Sequence, residues 1–140
     1  MSGEASGTRT ALQYGPVGDR AVEGPFTTRQ LSRLDEALTL SSRETGILFS
    51  VYVGEFAQPT RAHAEALFEK LDDNSVLLAI SPGQRVLHIV TGPKSAERLP
   101  NRACALAALS MRSSFSNGDL VGGIVAGLRL LSDASGRPST

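Results

Sequence analysis

Two short apolar runs separated by one helical segment constrain the fold of this chain more than any other feature. Residues 47–53 (ILFSVYV) are apolar almost throughout and rich in branched and aromatic side chains, which is typical of a strand covered on both faces. Residues 76–80 (VLLAI) form a second run of this kind. Since the segment between them has apolar residues at helical spacing, the sequence predicts two parallel strands joined by a right-handed helical crossover.

The segments around these runs complete an α/β pattern. Thr27 and Gln30 have the spacing of a capping box, so a helix is predicted to begin there and to stop at Gly46. Residues 85–91 (RVLHIVT) follow the tight turn SPGQ and are predicted to form a third strand, antiparallel to the second. Two further helices are predicted over residues 101–111 (NRACALAALSM) and 117–131 (NGDLVGGIVAGLRLL), separated by a loop around Ser113 to Asn117. We therefore expect a three-layer sandwich, in which a small mixed β-sheet carries helices on both faces.

One compact domain is expected over residues 25–132. Residues 1–24 are rich in Gly, Ser and Thr and show no apolar periodicity, so they are predicted to form a flexible N-terminal arm. Residues 133–140 are interpreted as a flexible tail. In the last helix, Gly123 and Gly127 are spaced to let a neighbouring helix approach closely.

Composition excludes several classes of function. Basic and acidic residues number 14 each, and this balance disfavours a general electrostatic grip on nucleic acid or on an anionic membrane. No apolar run approaches the roughly 20 residues of a membrane-spanning helix, and the N-terminal residues do not resemble a signal peptide. A cytoplasmic location is therefore expected. The single cysteine, Cys104, is flanked by small apolar residues and is predicted to be a core residue.

The predicted topology separates the polar residues into two groups. The carboxyl end of the sheet, where the two parallel strands finish, should carry Glu55, Arg85, Asp119 and the start of the first helix near Glu23. Ligands of open α/β sheets favour this end, so Arg85, Asp119 and Glu55 are the candidate ligand-binding residues. Asp73 should lie at the opposite, amino end of the sheet, too far from Asp119 to share an ion.

The stretch Asp72-Asp73-Asn74 allows two interpretations. These residue types commonly end helices and form turns, which is the interpretation we favour. However, carboxylates at the C-terminal end of a helix face the negative end of its dipole, and a nearby Arg or metal ion would relieve that repulsion. His63 and His88 share no ligand spacing and receive no role.

Three stretches of the chain resemble the TPM domain family. They are TGILFSVYVGE, LFEKLDDNSVLLAISPGQRVLHIVTG and SSFSNGDLVGGIVAGL. Within the family, the chain most resembles an uncharacterised actinobacterial branch. The resemblance implies an α/β sandwich and, in some members, acid phosphatase activity or calcium binding through aspartates. By motif, Asp73 matches a family aspartate, Arg85 the hairpin arginine, and Asp119 the acid at the last helix. An aspartate that the family usually has before the first helix has no clean match here, although Asp19 or Glu23 could substitute.

Two functions follow as expectations. The leading one is a non-enzymatic accessory or interaction module with an unknown protein partner, since no nucleophile–base pair and no complete metal set is present. The alternative is a weak, metal-assisted acid phosphatase acting on phosphomonoesters, in which Arg85 holds the phosphate and Asp119 a cation. No cofactor is assigned from the residues alone. Calcium or another divalent cation is the candidate, with Asp119 beside Glu55 or Glu23 as ligands.

Overall fold

A mixed sheet and four helices make up the part of the chain that the computed structural model describes, Ala11–Tyr14 and residues 26–137. In chain order the elements are β1 (Ala11–Tyr14), α1 (Thr28–Thr45), β2 (Leu48–Val53), α2 (Thr60–Phe68), β3 (Ser75–Ser81), β4 (Val86–Thr91), a short 3₁₀ helix (Ser95–Glu97), α3 (Asn101–Ser116) and α4 (Leu120–Ser135). The four strands lie in the order β1-β2-β3-β4.

The strand directions agree with the sequence analysis. β2 and β3 are parallel, with Leu48 opposite Ser75 and Val53 opposite Ile80. β4 returns antiparallel to β3 and places Leu87 opposite Ile80. The predicted directions of these three strands are therefore confirmed.

The helices pack on both faces of the sheet and produce the three layers that were predicted. One face carries α1, α3 and α4 over the alternate residues Phe49, Val51 and Val53 of β2 and their neighbours on β3. The other face carries α2, whose buried Ala64 packs with Tyr52 and Leu77. Alternation of side chains along a strand supplies both cores, which explains why β2 and β3 are apolar at nearly every position.

Helix boundaries follow local chemistry. The Thr27 side chain accepts from the Gln30 N–H, the Gln30 side chain accepts from the Thr27 N–H, and Gly46 ends α1 with a φ of 80°. The capping box and the glycine stop were both predicted. Such a cap stabilises a helix by about 1 kcal/mol. By contrast, the expected loop from Ser113 onward is wrong, because α3 continues to Ser116.

Close packing of α3 against α4 depends on two glycines. A Cβ on Gly123 would lie 2.6 Å from Cε1 of Phe115, and one on Gly127 would overlap the Met111 side chain. A side chain at either position would have to displace Phe115 or Met111. The packing role predicted for Gly123 and Gly127 is confirmed.

Two boundaries of the predicted flexible segments need correction. Ala11–Tyr14 forms β1, which pairs with β2 in parallel and adds one strand at the edge of the sheet. This strand falls within the segment that was expected to be a flexible arm. The neighbouring strand supplies the hydrogen-bonding partners for these residues, and no local periodicity signals such pairing. Residues 133–135 belong to α4 rather than to a tail. The other residues of 1–24 and residues 138–140 lie outside the described residues.

None of the described helices combines the length and the apolar character that crossing a bilayer requires.

Candidate functional site: a cleft at the carboxyl end of the sheet

The two ends of the sheet use their polar residues differently. At the amino end, near Ser75 and Thr91, polar side chains form hydrogen bonds with backbone groups of the chain itself. At the carboxyl end, near Ser81 and Val86, a cleft of about 500 Å³ opens between the β3–β4 turn and the junction of α3 with α4.

The stretch Asp72-Asp73-Asn74 forms a turn. The Asp72 carboxylate accepts from the Asn74 N–H at 2.8 Å, and the Asn74 amide donates to the carbonyl of Gly46 at 3.0 Å. The Asp73 carbonyl accepts from the N–H groups of Lys94 and Ser95. These bonds join the start of β3 to the end of α1 and to the 3₁₀ helix. The turn interpretation is confirmed by this geometry.

Arg98 closes the same end of the molecule. Its guanidinium donates to the carbonyl of Thr45 at 2.6 Å and to the carbonyls of Ser135, Gly136 and Arg137 at 3.1, 2.9 and 2.8 Å. The last carbonyls of a helix have no partner within the helix, and a cation there also complements the helix dipole. Arg98 therefore ties the ends of α1 and α4 together.

The cleft at the carboxyl end combines an apolar lining with two guanidinium groups. The β3–β4 hairpin and the α3–α4 junction each contribute to it. Its lining residues are Ile80, Ser81, Pro82, Arg85, Val86, Leu87, Arg112, Phe115, Ser116, Gly118 and Leu120. No acidic side chain belongs to this lining, so the positive charges of Arg85 and Arg112 are not neutralised within it.

Arg85 is held in an uncommon backbone conformation. It ends the β3–β4 turn with a φ of 57°, the left-handed region that is costly for residues with a side chain. Its N–H donates to the carbonyl of Pro82. The Gln84 side chain pairs with both the N–H and the carbonyl of Phe56, which fixes the hairpin to the segment after β2. Arg85 therefore lies on a turn that hydrogen bonds hold in place.

Arg112 reaches the cleft from the last turns of α3. Its guanidinium donates to the carbonyl of Leu87 at 3.3 Å, and this contact sets the side chain against the exposed edge of β4. A guanidinium carries five N–H donors, so most of them stay available to a ligand. Among the described residues, no carboxylate forms an ion pair with Arg85 or Arg112.

Sequence reasoning found Arg85 and missed Arg112. The missed signal was the length of α3. A helix rising from the amino end and continuing past Met111 must bring the following arginine to the carboxyl end of the sheet.

Asp119 lies next to the cleft and caps α4. Its carboxylate accepts from the Gly122 N–H at 2.9 Å. Asp119 is thus the N-cap residue of α4. Its negative charge also offsets the positive end of the α4 dipole. The positive charge at the cleft therefore lies on the two arginines that line it.

The other acidic candidates do not join the lining. Glu55 is exposed, and its carbonyl accepts from the Tyr52 hydroxyl at 3.1 Å. Burial, together with the nearby Glu55 charge, raises the pKa of Tyr52. Glu23 and Asp19 lie outside the described residues. Within residues 26–137, no three His, Cys, Asp or Glu side chains are grouped as metal ligands, and divalent cation binding stays a prediction.

The two histidines meet on the α2 face, which the sequence did not indicate. Their rings flank Phe56, with centroid distances of 5.3 Å for His63 and 6.2 Å for His88. His63 accepts from the Ala57 N–H through Nδ1, and Thr60 hydrogen-bonds to Nε2 of His88. Burial, followed by nearby arginine charge, lowers the pKa of His88. These contacts hold the start of α2 on the sheet.

The single thiol lies away from the cleft. Cys104 packs partly buried against the main core, as predicted, and burial raises its pKa. A raised pKa keeps the sulfur in the unreactive thiol form.

The fold and the cleft define a class of protein: an α/β sandwich with a basic, apolar-lined cleft at the carboxyl end of its parallel strands. A family model covering residues 1–132 matches the chain, which therefore belongs to the family described as Domain of unknown function (DUF5130). Two proteins of Mycobacterium tuberculosis, both named as uncharacterised and from strains CDC 1551 / Oshkosh and H37Rv, are each 37% identical over 117 residues. That match covers 82% of this chain and 70% of theirs.

Solved structures of similar shape come from other bacteria. The NMR structure of the BA42 protein from Bizionia argentinensis has a TM-score of 0.73 at 15% identity, over 83% of this chain and 85% of that one. The N-terminal domain of the cg2496 protein from Corynebacterium glutamicum has a TM-score of 0.69 at 15% identity, over 89% and 78%. At this identity the likeness shows a shared α/β fold.

The family finding corrects the resemblance to the TPM domain. The match over residues 1–132 is to DUF5130, so the TPM assignment is wrong. The three stretches behind it are a helix–strand junction, a turn with a hairpin, and a capped helix start, which many α/β folds share. Phosphatase activity and calcium binding consequently lose the support that the resemblance gave them.

Proposed function

We propose that this protein is a non-enzymatic binding module whose cleft holds an anionic, partly apolar group of its partner. The observation that carries the proposal is the convergence of Arg85 and Arg112 on one cleft whose lining contains no acid. A guanidinium is well suited to a carboxylate or phosphate, because its N–H groups can bind two oxygens at once.

The lining also indicates what accompanies the anion. Ile80, Leu87, Phe115 and Leu120 give the cleft a wall that favours an aliphatic or aromatic body next to the charge. Clefts that bind small molecules combine such walls with a few placed polar groups. The described lining offers no His, Cys, Asp, Glu or Lys that could serve as a general base, which supports binding rather than turnover.

Matched ligands test the proposal. N-acetyl-leucine has the carboxylate and the apolar body, whereas N-acetyl-leucine amide lacks only the charge. Calorimetry should detect the acid and not the amide, with affinity falling as salt rises. Arg85→Gln and Arg112→Gln should each weaken binding about tenfold. This corresponds to a loss of about 1.4 kcal/mol of binding free energy, as expected when one charged hydrogen-bonding group is removed. Equal binding of acid and amide would contradict the proposal.

The metal-assisted phosphatase is tested beside it. Hydrolysis of a generic phosphomonoester is measured with and without divalent cations in the original protein and in Asp119→Ala. Metal-dependent turnover that disappears in the variant would replace the binding proposal with the enzymatic one.

A further inference from the structure

The outward face of α3 carries the most exposed large apolar side chains in the described chain. Leu106 is 58% exposed and Leu109 is 65% exposed. Ala105 is exposed beside them, so the three form one patch at positions i, i+1 and i+4. A lone surface leucine is common, but adjacent ones on a helix mark a surface suited to contact with another apolar face.

The charge on this helix has one sign. Arg102 and Arg112 are the charged residues of α3, both are exposed, and the helix contains no acid. Arg102 precedes Leu106 by four residues and Arg112 follows Leu109 by three, which places all of them on one side. We call this surface, formed by Arg102, Ala105, Leu106, Leu109 and Arg112, the α3 face.

The α3 face continues into the cleft. Arg112 belongs to both surfaces, since it also lines the cleft and contacts the carbonyl of Leu87. From Arg102 to Arg112 the face is about 15 Å long, at about 1.5 Å per residue. A partner lying along it would therefore reach the cleft with one end, and about three turns of a helix would match its length.

We propose that the partner is an acidic amphipathic helix that packs its leucine-type side chains on Leu106 and Leu109. Its carboxylates would pair with Arg102 and Arg112, and one of them would enter the cleft. This inference rests on the proposed function, because it identifies the anion in the cleft as a carboxylate of that helix. Apolar anchors with flanking charge of opposite sign are the usual way in which a helix binds to a surface.

Charge distinguishes this partner from the two main alternatives. A second copy of the chain would bring arginine against arginine across a two-fold axis, which is repulsive. A membrane-binding face generally needs many Lys and Arg residues, whereas α3 offers two arginines on a chain of zero net charge.

A designed peptide provides the test. The probe has about 16 residues with Leu at helical spacing on one side and Glu on the other, and a scrambled peptide of the same composition is its control. Fluorescence anisotropy should show binding of the probe and at least tenfold weaker binding of the scrambled peptide. Leu106→Ser with Leu109→Ser should weaken binding of the probe at least about tenfold, as expected for loss of central apolar contacts.

A matched double variant controls for general loss of surface leucines. Leu40 and Leu130 are 46% and 40% exposed on other helices, and Leu40→Ser with Leu130→Ser should change the affinity less than about twofold. Equal weakening by both double variants would overturn the inference, as would equal binding of the scrambled peptide.

The remaining outcomes separate this inference from the proposed function. N-acetyl-leucine should still bind to the α3 double variant, because neither leucine lines the cleft. If N-acetyl-leucine binds but the probe does not, the inference fails and the proposed function stands; if neither binds, both fail. Leucine-dependent binding to anionic vesicles, or a dimer in light scattering that the α3 double variant abolishes, would also overturn the inference in favour of that partner.

Discussion

The two ends of this sheet differ in what their polar side chains bind. At the amino end, Asn74 and Arg98 donate to backbone carbonyls of α1 and α4 and so complete the fold. At the carboxyl end, Arg85 and Arg112 face a cleft, and only one backbone carbonyl, that of Leu87, is bonded by either guanidinium among the described residues. Charge alone therefore does not mark a candidate site. The carboxyl end is distinguished by two positive charges that no carboxylate among the described residues pairs with.

The largest effect is expected at the amino end. Arg98→Met keeps the aliphatic stem but leaves the carbonyls of Thr45 and of the end of α4 without their charged donor. The free energy of unfolding should fall by about 2–4 kcal/mol, because bonds to charged donors are strong and half-buried carbonyls are costly to leave unpaired. Urea denaturation measures this. The same change at the other end, Arg85→Met, should cost less than about 0.5 kcal/mol. Equal losses of unfolding free energy in the two variants would contradict a structural role for Arg98 that Arg85 does not share.

A smaller effect is expected at Asp119, which borders the cleft but serves the fold. Asp119→Ala removes the cap of α4 and should lower the free energy of unfolding by about 1 kcal/mol. Asp119→Asn should retain most of that stability, since Asn caps about as well as Asp. Thermal unfolding of both variants is the measurement. If Asn proved as destabilising as Ala, the negative charge rather than the cap would be what stabilises α4.

The smallest effect should have the opposite sign. Arg85 has a φ of 57°, and glycine adopts that conformation without strain. Arg85→Gly should therefore raise the free energy of unfolding by about 0.5–1 kcal/mol while it weakens binding of N-acetyl-leucine. Such a result would show that the cleft retains a strained residue for its guanidinium. A loss of stability would instead assign Arg85 a part in holding the hairpin.

Much of this architecture could be predicted from the sequence. β2 and β3 are apolar on both faces because each is covered twice, and α1 begins with a capping box that needs only local contacts. β1 was missed because its place depends on pairing with β2, a partner distant in sequence. Half of the cleft was found through Arg85. Arg112 could not be placed once α3 was ended too early, since the length of a helix decides which end its last residues reach and a rotation of 100° per residue decides their side.

We propose that the open arginines make the carboxyl end of the sheet a binding site. The most direct test is a titration of the ¹⁵N-labelled protein with N-acetyl-leucine, followed at backbone amides. We expect saturable shifts at Gly83 and Gly118, beside the cleft, while the signals of Gly92 and Gly136 at the amino end stay unchanged. Shifts centred on Gly92 and Gly136, or no saturable shift at either end, would contradict it.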